Sequence, residues 1–324
     1  HHNAGMIHHS RPTSGPHPLR RLLGILLLTI PLGCRTTPST PPASIPPEAL
    51  PMFLGDGTPT EWNDVVDLAG EVDIVVIGEE HDDARAHDFQ RVLYEALLER
   101  DGNTAIALEM FERDEQDTVD GWLAGDVDTE TLVADTNSVN WGGAGTWYRF
   151  YQPIIDLARV AGTPVIAANA PRRYVRQARI EDYESLRSLP DEERELFDLP
   201  DALDRGPYFR RFADIMRELR NDDDLDDAAV DAVFRSQQVW DATMAASVVE
   251  AIGRNDVDRV VLLIGRFHSD LEGGTIVELR KRRPESRILV LSCVGRTGSV
   301  DGLDPEDLDR GDVVVYTPRD PRAE

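Results

Sequence analysis

The sequence predicts an α/β protein with a mostly parallel central sheet flanked by helices, and a helical insertion over the carboxyl edge of that sheet. Two observations predict this class. Short, continuous apolar runs, such as Val-Val-Leu-Leu-Ile at 260–264, are typical of strands that are buried on both faces. These runs alternate with helical stretches, and such stretches suit the crossover connections between parallel strands.

Six apolar runs are predicted as strands, and the last of them as an edge strand. They cover residues 73–77, 104–108, 164–168, 259–264, 287–293 and 312–316. Residues 84–100 are predicted as a helix, because their apolar residues recur at i, i+3, i+4 spacing, with Asp82 or Asp83 as its cap. Residues 169–258 lack strong strand signals but keep a helical periodicity, so we place the insertion at about 172–252.

The first 34 residues are predicted to be a leader. Arg20 and Arg21 form a positive segment, residues 22–32 are apolar over the length of a signal peptide, and the run ends at Cys34. This pattern resembles a bacterial lipoprotein signal, in which Cys34 is lipidated and becomes the mature N-terminus. Pro31 stands where such signals usually carry leucine, and a plain cleaved signal or an uncleaved anchor is the alternative.

Composition and charge set limits on the rest of the chain. Residues 35–51 are rich in proline, serine and threonine and predict an extended tether, followed by a single domain at 52–324. The formal charge of −26 argues against non-specific binding to nucleic acid or to anionic membrane surfaces. The second cysteine, Cys293, lies in an apolar run and is predicted to be a buried, inert thiol.

Polar side chains follow four of the predicted strands. In an open parallel sheet, ligands bind beyond the carboxyl ends of the strands, so these residues are candidates for a functional site. Such a set would be unusual for a purely structural edge. Its members are Glu79, Glu80 and His81 after the first strand, Glu109 after the second, Asn169 and Arg172 after the third, and Arg266 and His268 after the fourth.

The imidazoles and carboxylates of this set could hold a divalent metal. His81, Glu109 and His268 offer suitable ligands, and Glu80 could act as general base for hydrolysis by an activated water. These residues are far apart in the sequence, so no local metal-binding motif supports the assignment. The alternative is that His81 and Glu109 hydrogen-bond to loops and hold the strand ends together.

Two further segments could bind a ligand. Arginines at helical spacing could bind carboxylates or phosphates, or could instead form ion pairs with Glu181, Glu184 and neighbouring acids. Residues 141–151 concentrate aromatic side chains after several glycines, where a planar ligand could stack and a phenolate could ligate iron. Packing of an aromatic helix on the sheet is the alternative there. The arginines are Arg172, Arg173, Arg176 and Arg179.

Several longer motifs, in this order along residues 60–295, resemble those of the ChaN-like haem-binding lipoproteins. This family belongs to a superfamily with Tiki-type metalloproteases, TraB proteins and erythromycin esterases. The motifs are Gly78-Glu79-Glu80-His81-Asp82, Glu109-Met110-Phe111, Tyr151-Gln152-Pro153, Asn169-Ala170-Pro171-Arg172, Gln237 with Asp241, and Gly265-Arg266-Phe267-His268.

The resemblance implies a haem-binding protein of haem or iron uptake, anchored by lipid at the periplasmic or outer face of the cell envelope. It implies a haem iron held by a tyrosine, for which Tyr151 is the candidate and Tyr148 and Tyr174 are local alternatives. The other expected haem contacts are Arg172, Arg173 and Asn169. A homodimer and an outer-membrane or ABC transporter are the expected protein partners. The hydrolases of the superfamily imply the alternative, a metal-dependent hydrolase that uses Glu80, His81, Glu109 and His268.

Overall fold

The computed structural model describes residues 45–220, 226–254 and 257–319. Its strands form one eight-stranded sheet in the order β2-β1-β8-β7-β3-β6-β4-β5. Every neighbouring pair from β8 to β5 is parallel, while β1 is antiparallel to β2 and β8. The strands are β1 (Met52–Leu54), β2 (Pro59–Thr60), β3 (Ile74–Glu79), β4 (Thr104–Glu112), β5 (Val165–Asn169), β6 (Arg259–Gly265), β7 (Ile288–Arg296) and β8 (Val313–Pro318).

The mostly parallel sheet and its flanking helices confirm the predicted fold class. The predicted helix at 84–100 is observed as α2, and Asp83 caps it by accepting hydrogen bonds from the amides of Arg85 and Ala86. The helices are α1 (Trp62–Gly70), α2 (Ala84–Asp101), α3 (Gln116–Ala124), α4 (Thr129–Asp135), α5 (Trp147–Phe150), α6 (Gln152–Ala161), α7 (Arg172–Ile180), α8 (Tyr183–Arg187), α9 (Asp191–Arg194), α10 (Pro207–Arg220), α11 (Asp227–Ile252) and α12 (Gly274–Arg282).

The sheet separates two apolar cores. Because successive side chains of a strand point to opposite faces, Val75 and Ile77 of β3 pack on one side, and Ile74 and Val76 pack on the other. Helices α1 to α6 cover the first face, and α11 and α12 cover the second. Burial on both faces explains why the central strands are continuous apolar runs.

The segment from α7 to α11 is helical, as predicted, and part of it lies against the carboxyl end of β6. Phe267, in the turn that follows β6, packs against Tyr208 and Phe212 of α10, with ring centroids 5.1 and 5.9 Å apart. Trp240 of α11 meets the ring of His268 edge-on at 6.3 Å. These contacts bring the insertion to the edge of the sheet at which the candidate site residues are found.

Residues 1–44, with the predicted leader, Cys34 and most of the predicted tether, lie outside the described residues. At the end of the predicted tether, residues 47–49 form a short 3-10 turn and Leu50 is buried. Cys293 is buried, as predicted. Within the described part of the chain, no helix combines the length and the apolar character needed to cross a membrane.

Candidate functional site

The candidate site lies where the carboxyl ends of β3, β6 and β4 meet. β3 pairs with β6 as far as Glu79 opposite Gly265, and β6 pairs with β4 as far as Leu263 opposite Leu108. The predicted strands stop at residues 77 and 108, whereas β3 continues to Glu79 and β4 to Glu112. Glu79 and Glu109 are therefore strand residues, and the strand backbone fixes the directions of their side chains.

Glu79 is the most heavily bonded carboxylate of the site, although it is almost completely buried. Its Oε1 accepts hydrogen bonds from Nδ1 of His81 at 2.9 Å and from the hydroxyl of Tyr151 at 2.5 Å. Its Oε2 accepts from the side-chain amide of Gln90 at 2.5 Å and lies 3.4 Å from Nδ1 of His87. Glu79 thus orients His81 and ties it to α2 and to Tyr151.

A second histidine–carboxylate pair joins the turn after β6 to the insertion. Nδ1 of His268 is 2.8 Å from Oδ1 of Asp241, a residue of α11 that is also almost completely buried. The same oxygen accepts a hydrogen bond from the hydroxyl of Thr275 at 2.8 Å. The insertion therefore supplies the carboxylate that orients His268.

Glu109 lies between the two pairs. Its Oε2 accepts a hydrogen bond from the amide of Gly265 at 2.5 Å, and its Oε1 is 4.0 Å from Nε2 of His268. A Cβ at Gly265 would lie 3.1 Å from Nε2 of His81 and 3.4 Å from Oε2 of Glu109, so this glycine keeps the space between them open. Since each imidazole uses Nδ1 for its own carboxylate, its Nε2 remains available for proton transfer beside Glu109.

Electrostatics favours protonated imidazoles here. Burial lowers the pKa of His81, but the hydrogen bond that it donates to Glu79 and the charges of Glu109 and Glu79 outweigh burial and raise that pKa to about 9. Burial likewise opposes protonation of His268, and the charge and hydrogen bond of Asp241 raise its pKa. Burial raises the pKa of Glu79, but His87 and His81 outweigh that effect and lower it.

Glu80 is directed to a different set of partners. Among the described residues, its carboxylate forms ion pairs with Arg266, at 2.9 Å, and with Arg319. The structure thus brings His81, Glu109 and His268 together. The carboxylate that contacts His81 is that of Glu79 and not that of Glu80, the residue predicted as general base.

The aromatic segment 141–151 packs on the first histidine–carboxylate pair. Trp141 meets the ring of His81 edge-on at 5.2 Å, and Phe150 stacks on His87 at 4.4 Å. Gly142 has φ +78°, and a Cβ there would lie 2.0 Å from the carbonyl oxygen of His81. The backbone of the segment therefore approaches His81 as closely as only glycine allows.

The three candidate tyrosines differ in exposure. Tyr151 is fully buried; this burial and then the charge of Glu79 raise the pKa of its hydroxyl well above the ordinary value. Tyr174 is also buried, and its hydroxyl donates to Glu193. Tyr148 is 50% exposed on α5. Of the three phenols, that of Tyr148 is the one a ligand can reach in this conformation.

The predicted polar contacts also differ in exposure. Asn169 is buried, and its side-chain amide donates to the carbonyl of Glu109, so it joins the ends of β5 and β4. The side chain of Arg172 is 55% exposed, and its guanidinium lies 5.5 Å from the ring centre of Trp141. Arg173 is exposed as well. The ion-pair partners of these arginines are Glu112 for Arg172 and Asp114 for Arg173, not the predicted Glu181 and Glu184.

The prediction of a metal centre is not supported. Across residues 45–220, 226–254 and 257–319, no three histidine, cysteine, aspartate or glutamate side chains are grouped so that they could hold a metal ion. His81, Glu109 and His268 are neighbours, and Glu79 and Asp241 hold the two imidazoles at Nδ1.

Glu79 and Asp241 orient the two histidines, and neither was predicted in that role. The signal for Glu79 was the two-residue period of β3, since Glu79 shares a face with Val75 and Ile77. His87 and Gln90, at i, i+3 spacing on α2, are the helix residues that meet it. Asp241 belongs to the motif with Gln237, but that motif does not show that it pairs with His268.

The comparison with protein families decides where the chain belongs. The family model described as "Haem-binding uptake, Tiki superfamily, ChaN" matches residues 65–279, which is more than half of the chain and contains both histidine–carboxylate pairs. The chain belongs to the ChaN family. The expected family is therefore confirmed.

A solved ChaN structure shares the fold. ChaN of Campylobacter jejuni, described with cofacial haem binding, has 19% sequence identity and a TM-score of 0.63, covering 83% of this chain and 97% of its own. The type III effector HopBA1 has 13% identity and a TM-score of 0.47, covering 79% of this chain and 92% of its own. A mutant of the erythromycin esterase EreC in its open conformation has 16% identity and a TM-score of 0.42, covering 78% of each chain. The last two likenesses are too distant to carry an argument. No curated protein matches this sequence.

Proposed function

We propose that this protein is a haem-binding lipoprotein of the cell envelope with a role in haem or iron uptake. Membership of the ChaN family is the observation that carries this proposal. Lipidation at Cys34 would hold the domain at the periplasmic or outer-membrane face. A homodimer and an outer-membrane or ABC transporter are the protein partners that we expect for such a role.

We assign the haem-iron ligand to Tyr148. A haem offers an iron that a phenolate can ligate and two propionates that guanidinium groups can bind. The half-exposed ring of Tyr148 and the exposed side chain of Arg172 over Trp141 fit these requirements. Arg173 is a further propionate contact, because more than half of its side chain is exposed although it pairs with Asp114.

Tyr151, the first candidate, does not fit the same requirements. To reach an iron, its hydroxyl would have to leave Glu79 and its buried position between Trp147, Phe150 and His87. Breaking a hydrogen bond to a buried carboxylate costs about 1.5–3 kcal/mol before any packing is lost. We therefore give Tyr151 a structural role, as the residue that holds Glu79 from the side of α6.

A hemin titration tests the proposal. The full chain in detergent, titrated with hemin, should give a shifted Soret band, and Tyr148→Phe should weaken binding by at least about tenfold, or about 1.4 kcal/mol. Tyr151→Phe removes the same oxygen from a buried site and is the matched control, with its folding checked by circular dichroism. Absence of a Soret shift in the wild-type protein would refute haem binding. Loss of the shift in a folded Tyr151→Phe, with none in Tyr148→Phe, would refute only the ligand assignment.

A second candidate function is hydrolysis by acid–base chemistry. The observation that favours it is the pair of buried histidine–carboxylate contacts on either side of Glu109, which leaves Nε2 of His81 and His268 able to give or take a proton. An ester and peptide panel should then be cleaved by the wild-type protein and not by His268→Ala. Glu80→Gln is the control, because Glu80 lies outside this arrangement. Equal activity of wild type and His268→Ala would exclude this candidate.

A further inference from the structure

The carboxylate of Asp241 is bonded on one side only. Its Oδ1 accepts from both His268 and Thr275, each at 2.8 Å. Its Oδ2 is buried and has no hydrogen-bond partner among the described residues. A buried carboxylate oxygen without a donor is unfavourable by about 1–3 kcal/mol or more, so a donor is expected at this position.

The hydroxyl of Tyr208 is a second buried polar group without a hydrogen bond of ordinary geometry to any described residue. It lies close to the carboxylate of Asp241. Its ring is packed against Phe234 and Phe267, with centroids 5.2 and 5.1 Å away, and so cannot turn toward solvent. Burial and then the charge of Asp241 raise the pKa of this phenol well above its ordinary value. Tyr208 therefore remains a hydrogen-bond donor.

Both groups line one small cavity. Its volume is about 20 Å³, and its lining runs from Asp241 and Tyr208 past Gln238 to Lys281, whose side chain is half exposed. A cavity of roughly 10–15 Å³ can hold one water molecule, provided that at least two polar groups form hydrogen bonds with it. The cavity meets both conditions, and it is too small for a larger ligand.

Gly274, the first residue of α12, keeps this space available. A Cβ at that position would lie 2.1 Å from Oδ2 of Asp241 and 2.6 Å from Cε1 of Tyr208, so no other residue fits without moving them. Placing a carboxylate at the first turn of α12 is itself favourable, because the helix N-terminus carries a partial positive charge.

We propose that this cavity binds one water molecule, which donates to Oδ2 of Asp241 and accepts from the hydroxyl of Tyr208. The water completes the hydrogen bonds of the carboxylate that orients His268. Tyr208 is then a positioning residue, which acts on the imidazole through the water and Asp241. This inference does not depend on haem binding.

High-resolution diffraction of the wild-type protein tests the proposal directly. The expected result is a density peak within about 3.2 Å of both Oδ2 of Asp241 and the hydroxyl of Tyr208. A cavity without such a peak, or a direct hydrogen bond between Tyr208 and Asp241 that leaves no room for a water, overturns it. This diffraction test requires no substituted protein.

A spectroscopic measurement tests the link to His268. In Tyr208→Phe the water loses its donor, so Asp241 becomes a stronger acceptor and the Nδ1 proton resonance of His268 should move downfield. Tyr94→Phe is the matched control, because that buried hydroxyl bonds directly to Thr104 and Thr163 in another part of the core. An unchanged resonance in Tyr208→Phe, or an equal shift in Tyr94→Phe, refutes the positioning role.

Discussion

Replacing Glu79 by glutamine should lower the pKa of His81 from about 9 to its ordinary value of 6.5 or below. The reason is that burial alone lowers this pKa, and the hydrogen bond and charge of Glu79, helped by the charge of Glu109, are what raise it. Glutamine keeps the shape of the side chain and removes its charge. The pKa can be read from the imidazole resonances of His81 during an NMR titration.

The expected change in free energy follows from the size of the pKa shift of His81. A rise from 6.5 to about 9 corresponds to roughly 3 kcal/mol between the two protonation states, at 1.36 kcal/mol per pKa unit. The side chain of His81 is 35% exposed, so solvent screens part of this interaction energy. We therefore expect protonated His81 to contribute about 1–2 kcal/mol to the free energy of unfolding.

The sign of the pH dependence is also defined. Because the pKa of His81 is higher in the folded protein, its contribution is fully present below about pH 6.5 and is lost as the pH rises to about 9. Urea unfolding near both ends of this range should show that loss in the wild-type protein and much less of it in Glu79→Gln.

Glu80→Gln is the matched control for this prediction. It makes the same chemical change at the next residue, but Glu80 pairs with Arg266 and Arg319. The pKa of His81 should therefore stay near 9 in that variant. A pKa near 9 in Glu79→Gln, or an equal fall in Glu80→Gln, would refute the assignment of Glu79 as the partner of His81.

Two further substitutions have defined outcomes. Asp241→Asn should lower the pKa of His268, because burial then acts without the charge of Asp241 that opposes it. An NMR titration measures this pKa. If the pKa does not fall, groups other than Asp241 keep the imidazole protonated. Gln116→Ala should lower the free energy of unfolding by about 1–2 kcal/mol, because the Gln116 amide bonds both Val165 and Ala167 on the edge strand β5. Urea unfolding measures this, and a change below about 0.5 kcal/mol would indicate that water replaces both bonds.

The strands of the parallel core could be predicted because burial on both faces leaves a continuous apolar run in each of them. The antiparallel strands β1 and β2 could not, since Met52–Leu54 and Pro59–Thr60 are too short to show any period. The order of the strands in the sheet could not be predicted from the sequence either. It depends on packing between segments that are far apart in the chain.

The histidines of the site were predictable because they directly follow strands, whereas the carboxylates that orient them were not. Choosing between Glu79 and Glu80 requires the last residue of β3, since a shift of one position moves a side chain to the other face of the sheet. The prediction ended this strand at residue 77 and chose Glu80, whereas β3 continues to Glu79. The role of Asp241 as the partner of His268 is recognisable only when the insertion is seen against the turn after β6.

The pairing of β3 with β6 has a consequence for how the protein folds. Residue 74 is aligned with residue 260, and the long helical insertion lies between the two strands in the chain. Closing so long a loop is slow, and contacts of this kind form late. During synthesis, the first imidazole emerges long before its counterpart, so the two can be brought together only after the insertion has been made. A fragment that stops before β6 would contain His81 but not His268, and β3 would lack its partner strand β6. Such an unpaired central strand favours aggregation.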